Sequence, residues 1–297
     1  MEYKRSEDSG RTWSDPKPLE YSKRIYDSGA GRSVMCEKAL RTSDGTILLF
    51  NLECGNIPET NFGWQPLAVP SLLCSSDGGR TWEGPFPMGD EPGRIWDAIY
   101  HEGVVYLLEL RNDSKIHWYG NLPEHHYSLY VSTDQGRSFV RRSILPFDFM
   151  ERGYGTLAIL PTENLIAYIY NQRDEKNLEY TISDDNGHTW KKVKTTFFAK
   201  RIRNPQIIAF RDGYVLHGRS GNEGEDSDVG HLVIYRSRDG IHWDEGRYLK
   251  MRTAGSGAYS NSLLVHQQDG RRGERLLIQA SHAYECNRTN IYQWWIK

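Results

Sequence analysis

Two acidic residues in otherwise apolar stretches, Glu37 and Asp97, are the strongest candidates for proton-transfer chemistry in this sequence. They occupy equivalent positions near the starts of predicted strands in successive repeats. Two carboxyl groups that face one cavity can act as proton donor and base across a glycosidic bond. The pair therefore predicts hydrolysis of a glycoside, with Glu37 and Asp97 as the catalytic acids.

Forked hydrogen-bond donors and flat aromatic rings recur at comparable strand positions. Arginine and asparagine bind hydroxyl or carboxylate groups, and tryptophan and tyrosine offer faces to sugar rings. The substrate-binding candidates of this predicted carbohydrate-binding rim are Arg32, Trp96, Tyr154, Arg203, Asn204, Asn261 and His282. In the structural alternative, Arg203 or Arg219 pairs with Glu37 or Asp97 and only neutralises a buried acid.

The elements that position these residues come from a repeated motif, S-x-D-x-G-x-[ST]-[WF], which we call the Asp box. Asp and Ser side chains bond to turn backbone, and Gly takes a left-handed conformation. Successive copies start 69, 57, 51 and 54 residues apart, about the length of one propeller blade. The copies are SEDSGRTW from Ser6, SSDGGRTW from Ser75, STDQGRSF from Ser132, SDDNGHTW from Ser183 and a shorter SRDGIHW from Ser237.

Between the copies, two apolar strands flank a tight turn, as at Asp44-Gly45, Glu102-Gly103 and Asp212-Gly213. Four antiparallel strands per repeat predict an all-β fold, a six-bladed β-propeller formed as a single domain by residues 1–297. The motif at Ser6 has no hairpin before it, so the first blade of six is incomplete or, alternatively, the propeller has five blades.

The Asp boxes at blade spacing resemble those of the sialidase (neuraminidase) superfamily, also known as BNR-repeat proteins, over essentially the whole chain. The resemblance implies a propeller whose site binds an acidic sugar. AYSN at Ala258–Asn261 resembles the family's nucleophile strand and implies that Tyr259 is the nucleophile. HGR at His217–Arg219 resembles the position of a carboxylate-binding arginine and implies that role for Arg219.

Several positions depart from the family pattern. The glutamate that should assist the tyrosine is replaced by Asn204, and one arginine position holds Gly230 and His231. Near another arginine position the chain has Met35, with Arg32 three residues earlier, and Glu59 is the one acid in the loop from Cys54 to Pro70. The resemblance therefore predicts the fold but not an ordinary sialidase.

Three functions stay open. The leading prediction is a sialidase-like glycoside hydrolase that acts on a terminal sugar of a glycan. The first alternative is a polysaccharide lyase, with Tyr259 or His282 as base and Arg219 neutralising a uronate. The second alternative is a non-catalytic glycan-binding propeller, in which Tyr259 is a core tyrosine.

Composition and charge argue against several other classes of protein. The formal net charge is −2 without a basic stripe, so no nucleic-acid partner is expected. No apolar run has the roughly 18 residues of a membrane span, and the N-terminus lacks a signal-peptide core, so a cytoplasmic protein is expected. The four cysteines and the pair His125-His126 lack metal-ligand spacing. No metal and no cofactor are predicted.

Overall fold

The computed structural model describes residues 1–29, 31–55, 65–66, 69–89, 91–112, 120–221, 231–250, 259–266, 274–285 and 288–296. They form two compact units, which are described separately. Unit 1 comprises Met1–Gly153 and Gly187–Trp190, and unit 2 comprises Tyr154–Asn186 and Lys191–Lys297. A single domain over the whole chain stays a prediction.

Unit 1 begins with a two-stranded ladder, β1 (Glu2–Tyr3) and β2 (Lys17–Pro18), followed by helix α1 (Glu20–Asp27). In the described part of the chain α1 is the one helix, and its eight residues are too few to cross a membrane. Two antiparallel sheets follow. The first has β3 (Arg32–Arg41), β4 (Ile47–Gly55), β5 (Gln65–Pro66), β6 (Ser71–Ser75) and β7 (Glu83–Pro87), and the second has β8 (Gly93–His101), β9 (Val104–Arg111), β10 (Tyr127–Ser132) and β11 (Val140–Ile144).

Unit 2 contains three antiparallel sheets, the first of which starts at the boundary with unit 1. It has β12 (Arg152–Ile159), β13 (Leu165–Asn171), β14 (Asn177–Ser183) and β15 (Lys194–Phe197). The second sheet has β16 (Arg203–Phe210), β17 (Gly213–Gly221), β18 (His231–Ser237) and β19 (Arg247–Lys250). The third has β20 (Ser260–His266), β21 (Glu274–Glu285) and β22 (Arg288–Ile296).

The described residues therefore form five blade-like sheets, which is the five-bladed alternative and not the six-bladed main prediction. The difference arises at the first Asp box. It joins β1 to β2, and this ladder has no inner pair of strands among the described residues. The other four motifs each follow the third strand of a sheet.

The Asp-box turns are held by one recurring set of hydrogen bonds. In the second copy the Ser75 hydroxyl donates to Asp77 Oδ1 over 2.8 Å and accepts from the Gly79 N–H over 2.8 Å. Asp77 also accepts from the Thr81 N–H at 3.0 Å and from the Thr81 hydroxyl at 2.6 Å. Ser–Asp hydroxyl–carboxylate bonds recur at the other four copies. Each aspartate carboxylate thus accepts hydrogen bonds from turn N–H groups that would otherwise lack partners.

Apolar side chains pack between successive sheets within each unit. In unit 1, Leu48 and Phe50 of β4 join Ile95 of β8 and Leu107 of β9 in one buried cluster. In unit 2, one cluster joins the sheets that begin with β12 and β16, and another joins those that begin with β16 and β20. Because this packing fixes neighbouring inner strands, residues at their starts have defined positions.

The inner strands carry irregularities near those starts. The ladder register shifts at Glu37 in β3, at Trp96 in β8 and at Asn204-Pro205 in β16. Asn204 has a φ of 51° and Tyr154 a φ of 31°, values that side-chain-bearing residues rarely adopt. Bulges redirect side chains and are enriched beside functional sites. The irregularities coincide with four candidate site residues, Glu37, Trp96, Tyr154 and Asn204.

Candidate functional site

Three tyrosines of unit 2, Tyr170, Tyr154 and Tyr259, form a continuous row of rings that we call the tyrosine row. The ring centroids of Tyr170 and Tyr154 are 5.7 Å apart, and those of Tyr154 and Tyr259 are 6.2 Å apart. The hydroxyl oxygens of Tyr154 and Tyr259 are separated by 3.4 Å. Tyr154 is buried, whereas Tyr259 is half exposed. The row therefore reaches solvent at Tyr259.

An arginine lies over each end of the tyrosine row. The guanidinium carbon of Arg219 is 5.8 Å from the Tyr259 ring centroid, and that of Arg203 is 5.5 Å from the Tyr170 centroid. The two arginines are register partners on β17 and β16, so their side chains share one face of the sheet. Arg203, Arg219 and the tyrosine row thus form one cluster.

Arg219 is buried, and no opposite charge contacts it in the part of the chain that the structure describes. It is 6% exposed, and no carboxylate in the described part of the chain pairs with it. Burial and the neighbouring Arg203 guanidinium lower the pKa of Arg219 from its usual value. A guanidinium stays charged in proteins even so. Among the described residues, the Arg219 end of the cluster therefore lacks the anion that its charge favours.

Arg203, by contrast, is held by Glu175, a residue of the segment between β13 and β14. Arg203 Nε lies 3.1 Å from Glu175 Oε1, and Arg201 Nε donates to Glu175 Oε2 over 2.8 Å. The Tyr170 hydroxyl donates to Glu175 Oε1 over 2.7 Å. Arg201 and Tyr170 therefore donate hydrogen bonds to this carboxylate, and the Arg203 guanidinium lies within ion-pair distance of it at one end of the tyrosine row.

The backbone around Asn204 approaches β17 unusually closely. A Cβ added at Gly218 would lie 2.5 Å from the Arg203 carbonyl oxygen and 3.2 Å from the Asn204 carbonyl oxygen. The glycine of the HGR segment is therefore needed for the bulge in β16. The Asn204 side-chain oxygen is buried and has no hydrogen-bond partner among the described residues. A ligand hydroxyl could donate to it.

Two contacts position Tyr259 at the start of β20. The Tyr259 N–H donates to the Ser281 hydroxyl over 3.0 Å, and the Ser281 N–H donates to the Tyr259 carbonyl over 2.9 Å. The adjacent Ser260 hydroxyl lies 2.9 Å from His217 Nδ1, and both side chains are buried. The nucleophile candidate therefore stands on a fixed backbone.

Glu37 is a buried ion-pair partner in unit 1. Arg94 Nε donates to Glu37 Oε1 over 2.8 Å, and the Ile95 N–H donates to Oε2 over 2.7 Å. The Glu37 side chain is 1% exposed. Burial raises the pKa of Glu37, and the Arg94 guanidinium opposes that shift. Both carboxyl oxygens are thus already bonded.

Asp97 is also paired. Lys38 Nζ lies 3.1 Å from Asp97 Oδ1, which also accepts from the Ala98 N–H over 2.8 Å. The structural alternative expected Arg203 or Arg219 as partners of the two acids, whereas the observed partners are Arg94 and Lys38. The catalytic roles of Glu37 and Asp97 stay predictions, and each requires release from its ion pair.

Two further candidates, Trp96 and Arg32, also belong to unit 1. The Arg94 guanidinium carbon is 4.7 Å from the Trp96 ring centroid, so Trp96 is covered by a cation. Arg32 forms an ion pair with Glu53, which also accepts from the Tyr21 hydroxyl over 3.1 Å. The structure thus places Arg32 and Trp96 in unit 1, in separate charged contacts.

For the remaining candidates, Asn261 and His282, the structure gives the strand position but less of the surroundings. Asn261 is exposed on β20. His282 belongs to β21, opposite Asn290, and its side chain lies outside the described residues. Gly230 and Glu59, at which the family pattern is broken, also lie outside them.

The sequence reasoning missed Glu175, Tyr170 and Arg94. The signal for Glu175 is an acid in the RDEK segment after β13, followed by the pair of arginines in RIR at Arg201–Arg203. Tyr170 reads as one more apolar residue of β13, and nothing local distinguishes it. Arg94 precedes Trp96 by two residues, and its long side chain reaches back to β3.

Comparisons with known proteins agree with this architecture. No protein-family model matches the chain. Sialidase B of Streptococcus pneumoniae is 30% identical over 101 residues, a match that covers 31% of this chain but only 14% of Sialidase B.

Three solved structures resemble the whole chain at low identity. A protein of unknown function from Dyadobacter fermentans has a TM-score of 0.68 at 15% identity and covers 98% of this chain and 82% of its own. The K499G mutant of NanB sialidase from Streptococcus pneumoniae has a TM-score of 0.62 at 12% identity, over 98% of this chain and 62% of its own. Cellvibrio cellulosa α-L-arabinanase has a TM-score of 0.54 at 13% identity, over 86% of this chain and 89% of its own.

The predicted resemblance is confirmed at the level of fold. Two of these structures are glycoside hydrolases by name, so the chain shares an architecture that serves such enzymes. The chain has the sialidase-like β-propeller fold.

Proposed function

We propose that this protein is a glycoside hydrolase that acts on a terminal, carboxylate-bearing sugar of a glycan and is not an ordinary sialidase. The observation that carries the proposal is Arg219, a buried guanidinium without a carboxylate partner among the described residues. A planar guanidinium binds a carboxylate through two parallel hydrogen bonds. A sugar acid would therefore supply the charge that Arg219 lacks.

Tyr259 is the reacting group of this proposal. Its ring is half exposed beside Arg219, and its hydroxyl oxygen is 3.4 Å from that of Tyr154. Attack of the phenolic oxygen on the anomeric carbon would break the glycosidic bond and form a glycosyl-enzyme, which water then hydrolyses. The Tyr259 proton would pass to the Tyr154 hydroxyl, which gives its own proton to the departing glycosidic oxygen, while Arg219 holds the carboxylate of the sugar.

The experiment compares chromogenic glycosides of uronic acids with glycosides of the matching neutral sugars. We expect turnover of a uronic-acid glycoside, and Arg219→Ala should lower its kcat/KM by about ten- to a hundredfold, because one charge-assisted contact is lost. Tyr259→Phe should abolish turnover. Arg211→Ala, at the exposed β16–β17 turn, is the matched control. Equal turnover of neutral and acidic glycosides would contradict the proposal.

A uronate lyase is the second candidate, favoured by the paired hydroxyls of Tyr154 and Tyr259. Ionised Tyr259 would take the proton from the carbon next to the carboxylate, and Tyr154 would protonate the departing oxygen as the carbon–oxygen bond breaks. The product then contains a new C=C bond and no oxygen from water. Ultraviolet absorbance of the product separates elimination from hydrolysis, and binding without turnover would indicate a glycan-binding propeller.

A further inference from the structure

Among the described residues, the cluster and the adjacent Arg201 bring together three guanidinium groups and one carboxylate, Glu175. Arg201, Arg203 and Arg219 each carry a positive charge, and Glu175 contacts the first two. The Glu175 side chain is 10% exposed and also accepts from the Tyr170 hydroxyl. This carboxylate is therefore well anchored and is poorly screened by water.

We infer that Glu175 is a specificity-determining residue, which engages Arg203 and so limits the site to ligands with one negative group. The inference rests on the proposed function in taking Arg219 as the carboxylate-binding group. It adds a role for a residue that contacts no ligand, because Glu175 acts through Arg203.

Arg203 and Arg219 differ in how readily each can bind an anionic ligand. Arg203 has a carboxylate oxygen 3.1 Å from its Nε, whereas Arg219 has no carboxylate partner among the described residues. A second anionic group near Arg203 would also meet Glu175, and two close anions in a buried site repel each other strongly. A sulfated or phosphorylated uronate should therefore bind less tightly than the plain uronate.

The test uses glucuronic acid and its 2-sulfate, which differ by one anionic group on the same ring, and inorganic sulfate alone. Wild-type protein should bind glucuronic acid at least about tenfold more tightly than the 2-sulfate in calorimetric titrations at constant ionic strength. Glu175→Gln should reverse or abolish that preference. It should also raise the affinity for inorganic sulfate by about tenfold, because Arg203 then lacks its anion.

Two further variants separate charge from structure. Glu175→Asp keeps the charge and should retain the wild-type preference. Asp212→Asn removes the same charge at the exposed β16–β17 turn, the opposite end of these strands from Arg203, and should change neither affinity. Circular dichroism melts confirm that each protein is folded.

The outcomes are distinguishable. Failure of wild-type protein to bind glucuronic acid would overturn the proposed function. An unchanged sulfate affinity in folded Glu175→Gln would overturn the role of Glu175, since inorganic sulfate needs no sugar site. If Glu175→Gln does not fold, a wild-type preference for the 2-sulfate over glucuronic acid overturns the inference, and the opposite preference supports it.

Discussion

At the residue scale, Arg219 and Glu109 respond to burial in opposite ways. A guanidinium remains charged when it is desolvated, so buried Arg219 favours an anionic ligand. A carboxyl group can instead keep its proton. Glu109 of β9 is 7% exposed, beside a cavity of about 10 Å³ lined by apolar side chains such as Met88 and Leu107. Burial, Glu91 and Glu37 raise the pKa of Glu109 to about 8.

The stability of the protein should therefore depend on Glu109 between pH 4.5 and pH 8. An acid whose pKa is raised in the folded state binds more protons there than in the unfolded state, so stability falls as pH rises through this range. Glu109→Gln should remove this loss. Its melting temperature should match that of wild type near pH 4.5 and exceed it near pH 8. The free energy of unfolding of the variant should be higher at pH 8 by an amount on the order of a few kcal/mol.

Thermal melts of both proteins between these two pH values provide the measurement. Glu102→Gln, at the exposed β8–β9 turn, is the control and should follow wild type throughout. A constant difference between Glu109→Gln and wild type at every pH would show that Glu109 does not titrate in this range.

At the element scale, the Asp-box turns should be structural. The pKa of Asp134 is lowered to about 2, with burial opposing bonds from Ser132 and Ser138. A carboxylate with a depressed pKa contributes stability that is present above its unfolded value of 3.8 and is lost as pH falls toward 2. Asp134→Ala should lower the melting temperature at pH 7 by about 2–4 °C.

That difference should shrink as pH falls from 4 to 2, because the wild-type carboxylate is then protonated. Asp15→Ala, an exposed aspartate of the same unit, should leave the melting temperature unchanged at each pH. Loss of ligand binding by Asp134→Ala without any change in melting temperature is the result that would refute a structural role.

The end of β17, at Gly218, and the bulge at the start of β16 form a second element whose geometry can be tested. Gly218→Ala would place a methyl group 2.5 Å from the Arg203 carbonyl oxygen and 2.9 Å from Ile202 Cγ1. The start of β16 must then move, and Arg203 and Asn204 move with it. We expect uronate affinity to fall by about tenfold or more. Ala209→Gly, exposed near the end of β16, also weakens the strand but should leave affinity unchanged.

The local elements could be predicted from the sequence, whereas the partners of charged groups could not. An Asp box is readable because its hydrogen bonds join residues within four positions of one another. Arg94 and Glu37 are 57 residues apart, and Arg201 and Glu175 are 26 apart, so their pairing depends on how strands are placed in space. The roles proposed for Arg219 and Tyr259 follow from the family resemblance, but the resemblance does not predict that Arg219 has no carboxylate partner among the described residues.

At the scale of the whole molecule, the fold does not determine the substrate. Chains of this architecture include a sialidase and an arabinanase, whose names refer to an acidic and a neutral sugar. Activity must therefore be argued from the side chains that the blades present. In this chain β17 supplies Arg219, a buried arginine without a carboxylate partner in the described residues, and the bulge of β16 presents Asn204 where the family pattern has a glutamate.

Ordinary α-sialosides should consequently be cleaved poorly or not at all. Each charge-assisted contact to a substrate carboxylate contributes roughly 1.5–3 kcal/mol, and Arg203, engaged by Glu175, does not make one readily. The two other arginine positions of the family pattern hold Met35 and the pair Gly230-His231, and the loss of two such contacts lowers the rate by roughly a few decades. A fluorogenic α-sialoside, assayed beside an active bacterial sialidase, provides the measurement. A kcat/KM of about 10⁴ M⁻¹s⁻¹ or more would contradict the prediction, whereas inactivity together with turnover of a uronic-acid glycoside would place a different acidic sugar in the site beside Arg219.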